Sequence, residues 1–290
     1  MPEKVTQNMV KDKLPQRKSQ SHKGEHGRVL VIGGSREYFG APILTALGAL
    51  NSGCDLVYLF VPECNFDVTR SYSPNFIVKS YQGDFLHKKI LPSILEISEM
   101  CDTIVIGPGL GKISASYGGR SDIPSLVASI FQKIRKAFVL DAEAILACEL
   151  GDFNDIDIVI TPHAGEFLRL TGQKLSYDLS ERAEQSHRAA MQKGVSILLK
   201  GPTDVIASRT GEIFLNSTGN PGMTVGGTGD VLAGITGGLI AQGLSSFDGA
   251  CCASYINGAC GDALYKKKWF AFNAEDIALE IPFMLRELMG

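Results

Sequence analysis

Most of the familiar signatures of a working site are missing from this 290-residue sequence. Its seven cysteines, at positions 54, 64, 101, 148, 251, 252 and 260, include no CxxC pair and no histidine spacing that would build a zinc site. A reduced cytosolic protein is the simple reading. No stretch supplies the uninterrupted apolar run of a bilayer span, and the Lys/Arg-rich segment from Met1 to His22 lacks the apolar core of a secretion signal. The expectation is therefore a cytoplasmic location, with no membrane partner. A formal net charge of −3 gives no general field for drawing in nucleic acid, and the run Lys266-Lys267-Lys268 beside Trp269 is too small a basic patch for RNA. Any anionic ligand must be held by local donors. The G-x-x-x-x-G-K-[ST] spacing is absent, since Lys112 after Gly111 is followed by Ile113, and Gly33 to Gly40 does not spell G-x-G-x-x-G. No G-x-S-x-G elbow or H-E-x-x-H helix is found either. These absences set aside a P-loop, a Rossmann dinucleotide fingerprint, a serine-hydrolase elbow and a zinc helix. There is no internal repeat and no biased linker, so the chain divides only into a polar N-terminal lead-in, 1–22, and a single domain, 23–290.

What is present reads as a soluble globular protein. The apolar fraction is 44% and the charged fraction 20%, enough length and apolarity for a large core, with 32 glycines pointing to many tight turns. Disorder is not expected outside the first segment. Buried strands are expected at 28–32, 55–61, 103–106, 137–140, 157–160 and 195–199, each an apolar run ending at glycine, proline, aspartate, lysine or, after Ile160, Thr161-Pro162. Helical patterns lie between most of them, at 41–52, 123–136, 166–172 and 180–193. That rhythm predicts an α/β fold with a mainly parallel central sheet and helices on both faces. A hairpin at 204–208 and 212–215 breaks the alternation, and the last third turns helical at 227–242, 246–265 and 274–289. In open parallel sheets ligands sit beyond the carboxyl ends of the strands. Gly33-Gly34, Gly107 to Gly111, Asp141, Thr161 to Glu166 and Lys200 to Asp204 all fall at such ends, so they should converge on one rim.

Within that rim, the segment Asn220 to Asp230 precedes an apolar helical run beginning at Val231. Its glycines let backbone N–H groups turn toward one point at a helix N-terminus, where unsatisfied donors and the helix dipole favour phosphate. Asp230 would face the same point, as a base taking a hydroxyl proton or as a group reaching phosphate through a metal. The plainer alternative is that Thr228 or Asp230 caps the helix. Lys200 at a strand end could reach a nucleotide phosphate, with Gly201 admitting the ligand to the backbone, or could be a solvated lysine in a tight turn. His163 could be a substrate contact, an acid/base or a structural residue, and Glu166 a favourable acid in a first helical turn. The glycines from Gly107 to Gly111 permit close approach whether or not a ligand is there.

Taken together, these pieces resemble the NAD(P)H-hydrate dehydratase family of the ribokinase-like superfamily. The matching stretches are Leu14 to Arg17, His22 to Gly27, Val31 to Ser35, Tyr38 to Pro42, Gly107 to Gly111, Thr161 to His163, Gly165-Glu166, Lys200-Gly201, Asn220 to Met223 and Gly226 to Asp230, in family order over nearly the whole chain. The resemblance implies a ribokinase-like fold and repair of the S-form of hydrated NADH or NADPH (NADHX, NADPHX), driven by ADP in most bacterial and archaeal members or ATP in eukaryotic ones. It implies phosphorylation of the C6 hydroxyl, then elimination of phosphate with loss of the C5 proton. Asp230 would activate that hydroxyl while the amides of Gly227, Thr228 and Gly229 stabilise the transferring group. Lys200, Gly201, Pro202, Thr203, Asp204 and Gly229 would hold the nucleotide; Ala41, Gly109 and His163, with Asp230, would contact the hydrate. Magnesium is expected as counter-charge, although no metal ligand is assigned. A homo-oligomer, with a tetramer among the states admitted, and a separate NAD(P)H-hydrate epimerase as functional partner are also implied, the epimerase half of fused members being absent before Leu14.

Three positions depart from the family pattern: Glu143 stands where a second Asp is usual, Ala164 where proline is usual, and Asn257 where histidine is common. None touches the expected base, and Glu143 and Asn257 are given no catalytic role. The alternative reading is a ribokinase-like kinase acting on hydroxyethylthiazole or a pyrimidine alcohol, which would keep the phosphoester as product. A non-catalytic nucleotide sensor is the other, and it would have little need of Asp230.

Overall fold

The structure, a computed structural model, describes residues 2–111, 123–149 and 155–290. From the N-terminus come β1 (Glu3–Lys4), α1 (Gln7–Lys13), β2 (Arg28–Ile32), α2 (Gly40–Asn51), β3 (Leu56–Pro62), α3 (Phe66–Tyr72), β4 (Phe76–Tyr81), α4 (Leu91–Glu99) and β5 (Thr103–Ile106). They are followed by α5 (Ile123–Lys133), β6 (Ala137–Leu140), β7 (Ile158–Ile160), α6 (Ala164–Thr171), α7 (Leu179–Lys193), β8 (Ser196–Leu199), β9 (Asp204–Ala207) and β10 (Ile213–Asn216). Three helices close the chain: α8 (Thr228–Ala241), α9 (Ser246–Lys268) and α10 (Ala274–Met289). The strands form one sheet of ten in the order β1-β10-β9-β8-β7-β6-β5-β2-β3-β4. From β4 to β8 every pairing is parallel; β8 with β9 and β9 with β10 are antiparallel.

Alternation along the strands sends side chains to two cores. Val29, Val31, Val57, Leu59, Val105 and Val139 face a layer built from α1, α2, α8, α9 and α10. Leu30, Ile32, Ile104, Ile106, Phe138 and Leu140 face α4, α5, α6 and α7. Burial on both faces is why the parallel strands read as unbroken apolar runs. The sequence expectation of a two-sided, mainly parallel sheet holds, and no helix among the described residues is long and apolar enough to cross a membrane.

The seam that positions the site is the crossing of α2 and α8. A Cβ on Gly234 would stand 2.0 Å from the Thr45 carbonyl oxygen, and one on Gly48 would stand 2.4 Å from that of Val231. Only hydrogen fits at both points, so the two backbones touch. The N-terminus of α8 is thereby fixed over the carboxyl ends of the central strands.

The first fourteen residues differ from the lead-in expected of them. Strand β1 pairs with β10, and α1 buries Val10 completely and Leu14 nearly so against the α9–α10 layer. One inward side chain in a seven-residue polar helix leaves little periodicity to read.

Candidate active site

Helix α8 begins at Gly227, which takes φ +94 and leaves its N-terminus without any side-chain cap. A Cβ there would lie 2.6 Å from Leu44 and 2.9 Å from Ala274, so glycine is required for both conformation and space. The Thr228 hydroxyl turns back instead, donating to the carbonyl oxygens of Met223 at 3.1 Å and Val225 at 3.4 Å. Neither Thr228 nor Asp230 caps the helix. The first-turn amides therefore remain the natural donors for an anion.

Asp230 lies in that first turn, half-buried, at the meeting point of three other charged groups, Asp141, Glu166 and Lys200. Burial pushes its carboxyl up to about 7, Asp141 and Glu166 push the same way, and the Lys200 ammonium pulls back against them. A carboxyl poised there can take a proton near neutral pH. Lys200, in the turn joining β8 to β9, donates to Asp141 Oδ1 at 2.9 Å and stands 3.8 Å from Glu166 Oε2. Burial alone would lower the lysine, but Asp141, Glu166 and Asp230 more than offset it and hold the ammonium charged above its ordinary range. Asp141, at the end of β6, also accepts from the Thr161 hydroxyl at 2.7 Å. Its neighbour Ala142 takes φ +51, and a Cβ on Gly107 would sit 1.8 Å from the Asp141 carbonyl oxygen. The ends of β5, β6, β7 and β8 are thus knitted together around one lysine.

On one side of this cluster opens a cavity of about 480 Å³, with Lys200, Gly201, Pro202 and Asp204 on one wall, Asn220, Pro221, Met223, Thr224, Thr228 and Gly229 on another, and Ser254 and Asn257 of α9 at the back. Asp204 lines it, but both its carboxylate oxygens are already engaged, accepting from the Gly201 amide at 2.9 Å and the Ser254 hydroxyl at 2.7 Å. It shapes the loop. A Cβ on Gly229 would approach Lys200 Nζ to 3.3 Å, so the lysine reaches the start of α8 where the cavity meets Asp230.

On the other side stand the loops after β2 and β5. Gly109, at φ +70, packs so closely that a Cβ would fall 2.8 Å from that of Ala41 and 2.5 Å from the Tyr38 carbonyl oxygen. His163 caps α6: its Nδ1 accepts from the Gly165 amide at 2.9 Å and its own amide donates to Glu166 Oε2 at 2.9 Å. A neutral imidazole accepting at Nδ1 carries its proton on Nε2, so His163 presents a donor rather than a free base. Its side chain is 60% exposed, with Nε2 3.4 Å from Glu166 Oε1.

The residues singled out from sequence therefore come together at the rim, from Ala41 and Gly109 through His163 and Asp230 to the Lys200–Asp204 loop. Sequence reading gave no role to Asp141, which anchors Lys200, and did not see Glu166 as part of that charge cluster. The one available signal was that both follow strands at the carboxyl rim. Among the described residues no group of three acidic, His or Cys side chains is arranged to hold a metal ion alone. The carboxylates beside Lys200 at the rim are those of Asp141 and Glu166.

Comparison with known proteins gives a consistent picture. A model of the NAD(P)H-hydrate dehydratase family matches residues 29–283. The ADP-dependent (S)-NAD(P)H-hydrate dehydratase of Cenarchaeum symbiosum is 40% identical, over 97% of this chain and 96% of that protein. A bifunctional NAD(P)H-hydrate repair enzyme of Methanopyrus kandleri is also 40% identical, but the match spans only 50% of its length. Among solved structures, the ADP/ATP-dependent NAD(P)H-hydrate dehydratase of Bacillus subtilis, co-crystallised with ATP and Mg2+, superposes with a TM-score of 0.84 at 27% identity, over 99% of each chain.

Proposed function

The chain belongs to the NAD(P)H-hydrate dehydratase family, and from that premise we propose that it converts the S-form of NADHX and NADPHX back to NADH and NADPH at the expense of ADP or ATP. The observation that carries this reading is Asp230, a carboxyl raised to about 7 at the uncapped start of α8, standing between a nucleotide-sized cavity and the Ala41–Gly109 rim. The donor nucleotide occupies the cavity, its terminal phosphate at the amides of Gly227, Thr228 and Gly229 with Lys200 beside it. Gly201 and Pro202 line its path, Thr203 follows them in the same turn outside the cavity lining, and Asp204 lines the cavity while holding the turn. The hydrated ring lies against Ala41 and Gly109, where the Nε2 proton of His163 can be donated to it.

Asp230 takes the proton of the C6 hydroxyl as that oxygen attacks the phosphorus. The first-turn amides and Lys200 stabilise the equatorial oxygens as the bond to the donor breaks. Hydroxide is a poor leaving group, whereas the phosphate now on C6 is a good one. The ring nitrogen lone pair expels it, and loss of the C5 proton restores the dihydropyridine. Magnesium, where bound with the nucleotide, would neutralise charge on the transferring phosphoryl group, with Asp141 and Glu166 the carboxylates at that rim.

A kinase reading would end at the phosphoester; a sensor would not turn over. The test is to incubate the purified chain with (S)-NADHX, magnesium and ADP or ATP in turn, following NADH absorbance and free phosphate together. Recovery of both in step is expected; no NADH with either donor refutes the assignment, and a stable phosphorylated product would favour the kinase. A separate epimerase is the functional partner we propose, supported by the bifunctional repair activity named for the M. kandleri relative. A cytoplasmic homo-oligomer completes the proposal, with sedimentation or light scattering as its check.

A further inference from the structure

We propose that the loop between β2 and α2, through Arg36, Tyr38 and Phe39, forms a subsite for the adenylate half of the hydrated dinucleotide, the half that takes no part in the chemistry. This rests on the functional reading above. The substrate is long: its reacting ring must lie by Asp230, and a pyrophosphate and an adenosine must go elsewhere. The donor cavity, bounded by the turns after β8 and β10 and by α9, is taken by the second nucleotide. The free direction is along the rim the opposite way, past the ends of β5, β2, β3 and β4. Three strand spacings cover about 14 Å, room for a pyrophosphate followed by a base.

That stretch has the side chains such a ligand needs. Tyr38 is 54% exposed and Phe39 47%, two adjacent large aromatics facing solvent beside the site. Exposed rings beside a cation can stack nucleobases without demanding a particular one. Tyr38 is held by its backbone: Gly109 packs against its carbonyl oxygen, and a Cβ on Gly111 would lie 3.6 Å from its ring at Cδ2. Position is fixed while the ring face stays open. Two residues earlier, Arg36 reaches across to the loop after β4, its Nε 3.4 Å from Asp84 Oδ2. Both partners are well exposed, so this is a weak, screened pair that a phosphate can displace, and a guanidinium grips phosphate oxygens two at a time. The base of the loop is anchored by Asn65, whose Nδ2 donates to the Ser35 carbonyl oxygen at 3.0 Å. Arg36 and, beyond the exposed Glu37, the two aromatics on this anchored loop offer a phosphate contact followed by a stacking surface for a base.

The experiment measures kcat/KM for the hydrates of NADH, NADPH and reduced nicotinamide mononucleotide, the last lacking the adenylate half. The readout is the ratio of dinucleotide to mononucleotide. In Tyr38→Ala that ratio should fall at least tenfold, the worth of one stacked base, and Tyr38→Phe should restore most of it. In Arg36→Gln it should fall at least fivefold; a larger fall with NADPHX than with NADHX places the guanidinium on the 2′-phosphate, and an equal fall places it on the pyrophosphate. An unchanged ratio in both variants overturns the subsite, whether activity drops equally on all substrates or on none. So does a Tyr38→Ala variant whose only change is in oligomeric mass by light scattering, which would make the aromatics a contact between copies of the chain. A wild-type chain that restores none of the hydrates overturns the functional reading, and this subsite with it.

Discussion

Replacing Asp230 with asparagine should leave the protein more stable at pH 8 than the wild type while abolishing its chemistry. The carboxyl rises from an ordinary 3.8 to about 7 in the folded chain, chiefly through burial and then through Asp141. The folded state therefore holds a proton that the unfolded state releases, and stability falls as pH rises across that window, levelling off above about 7. Each pH unit inside it is worth about 1.36 kcal/mol, so between pH 5 and pH 8 the wild type loses at most about 2.7 kcal/mol from this group. Solvent screening of a half-buried side chain brings the expectation down to about 1 to 2 kcal/mol. Asparagine has the same shape and no charge to desolvate, and Lys200 keeps Asp141 and Glu166 as partners. Urea unfolding of both proteins at pH 5, 6, 7 and 8, with a matched slope, measures the gap. It should widen in favour of Asp230→Asn by that amount, while turnover drops at least roughly a hundredfold. A gap that stays constant or narrows with pH refutes the electrostatic reasoning; unimpaired turnover refutes the role as base.

Other consequences can be checked alongside. For the wild type, kcat/KM for the hydrate should rise with pH through about 7 and then level off, because Asp230 must be ionised to accept the hydroxyl proton; a profile flat from pH 5.5 to 8 would contradict it. Lys200→Met strands the buried carboxylate of Asp141 and should cost about 3 kcal/mol in chemical denaturation. Adding Asp141→Asn to that variant should recover at least half the loss. Gly234→Ala drives a methyl into the Thr45 carbonyl oxygen and should destabilise the fold by about 3 kcal/mol, with a lowered melting temperature as the readout. His163→Ala removes the acceptor that caps α6, costing about 1 kcal/mol, and His163→Asn should restore the stability without restoring the Nε2 donor.

The central strands were legible because both their faces are buried, which makes each a short apolar run closed by a turn residue. Strand β4 was not, for it lies at the sheet edge and only Phe76 and Tyr81 of its six residues are buried. Helix α1 escaped for a similar reason, with Val10 as its single buried side chain. At the site, Gly226 to Asp230 could be read as a unit because a glycine turn and a first-turn carboxylate are neighbours in sequence. The bond between Lys200 and Asp141 joins residues 59 apart, and nothing local in either segment announces the other. Asp204 shows the opposite limit. The family resemblance implied a nucleotide contact for it; it lines the cavity, and its oxygens accept from the Gly201 amide and the Ser254 hydroxyl, partners that no local pattern announces.

Lys200 stands in the turn where the sheet passes from parallel to antiparallel, and three carboxylates share its charge. An incoming donor phosphate has to compete with all three. Whatever draws the ammonium toward the nucleotide withdraws it from Asp230, whose hold on its proton tightens in response. Donor binding is then linked to proton uptake, visible in calorimetry as a heat that varies with the ionisation enthalpy of the buffer. Through one side chain, the end of the site that handles protons senses whether the other end is filled.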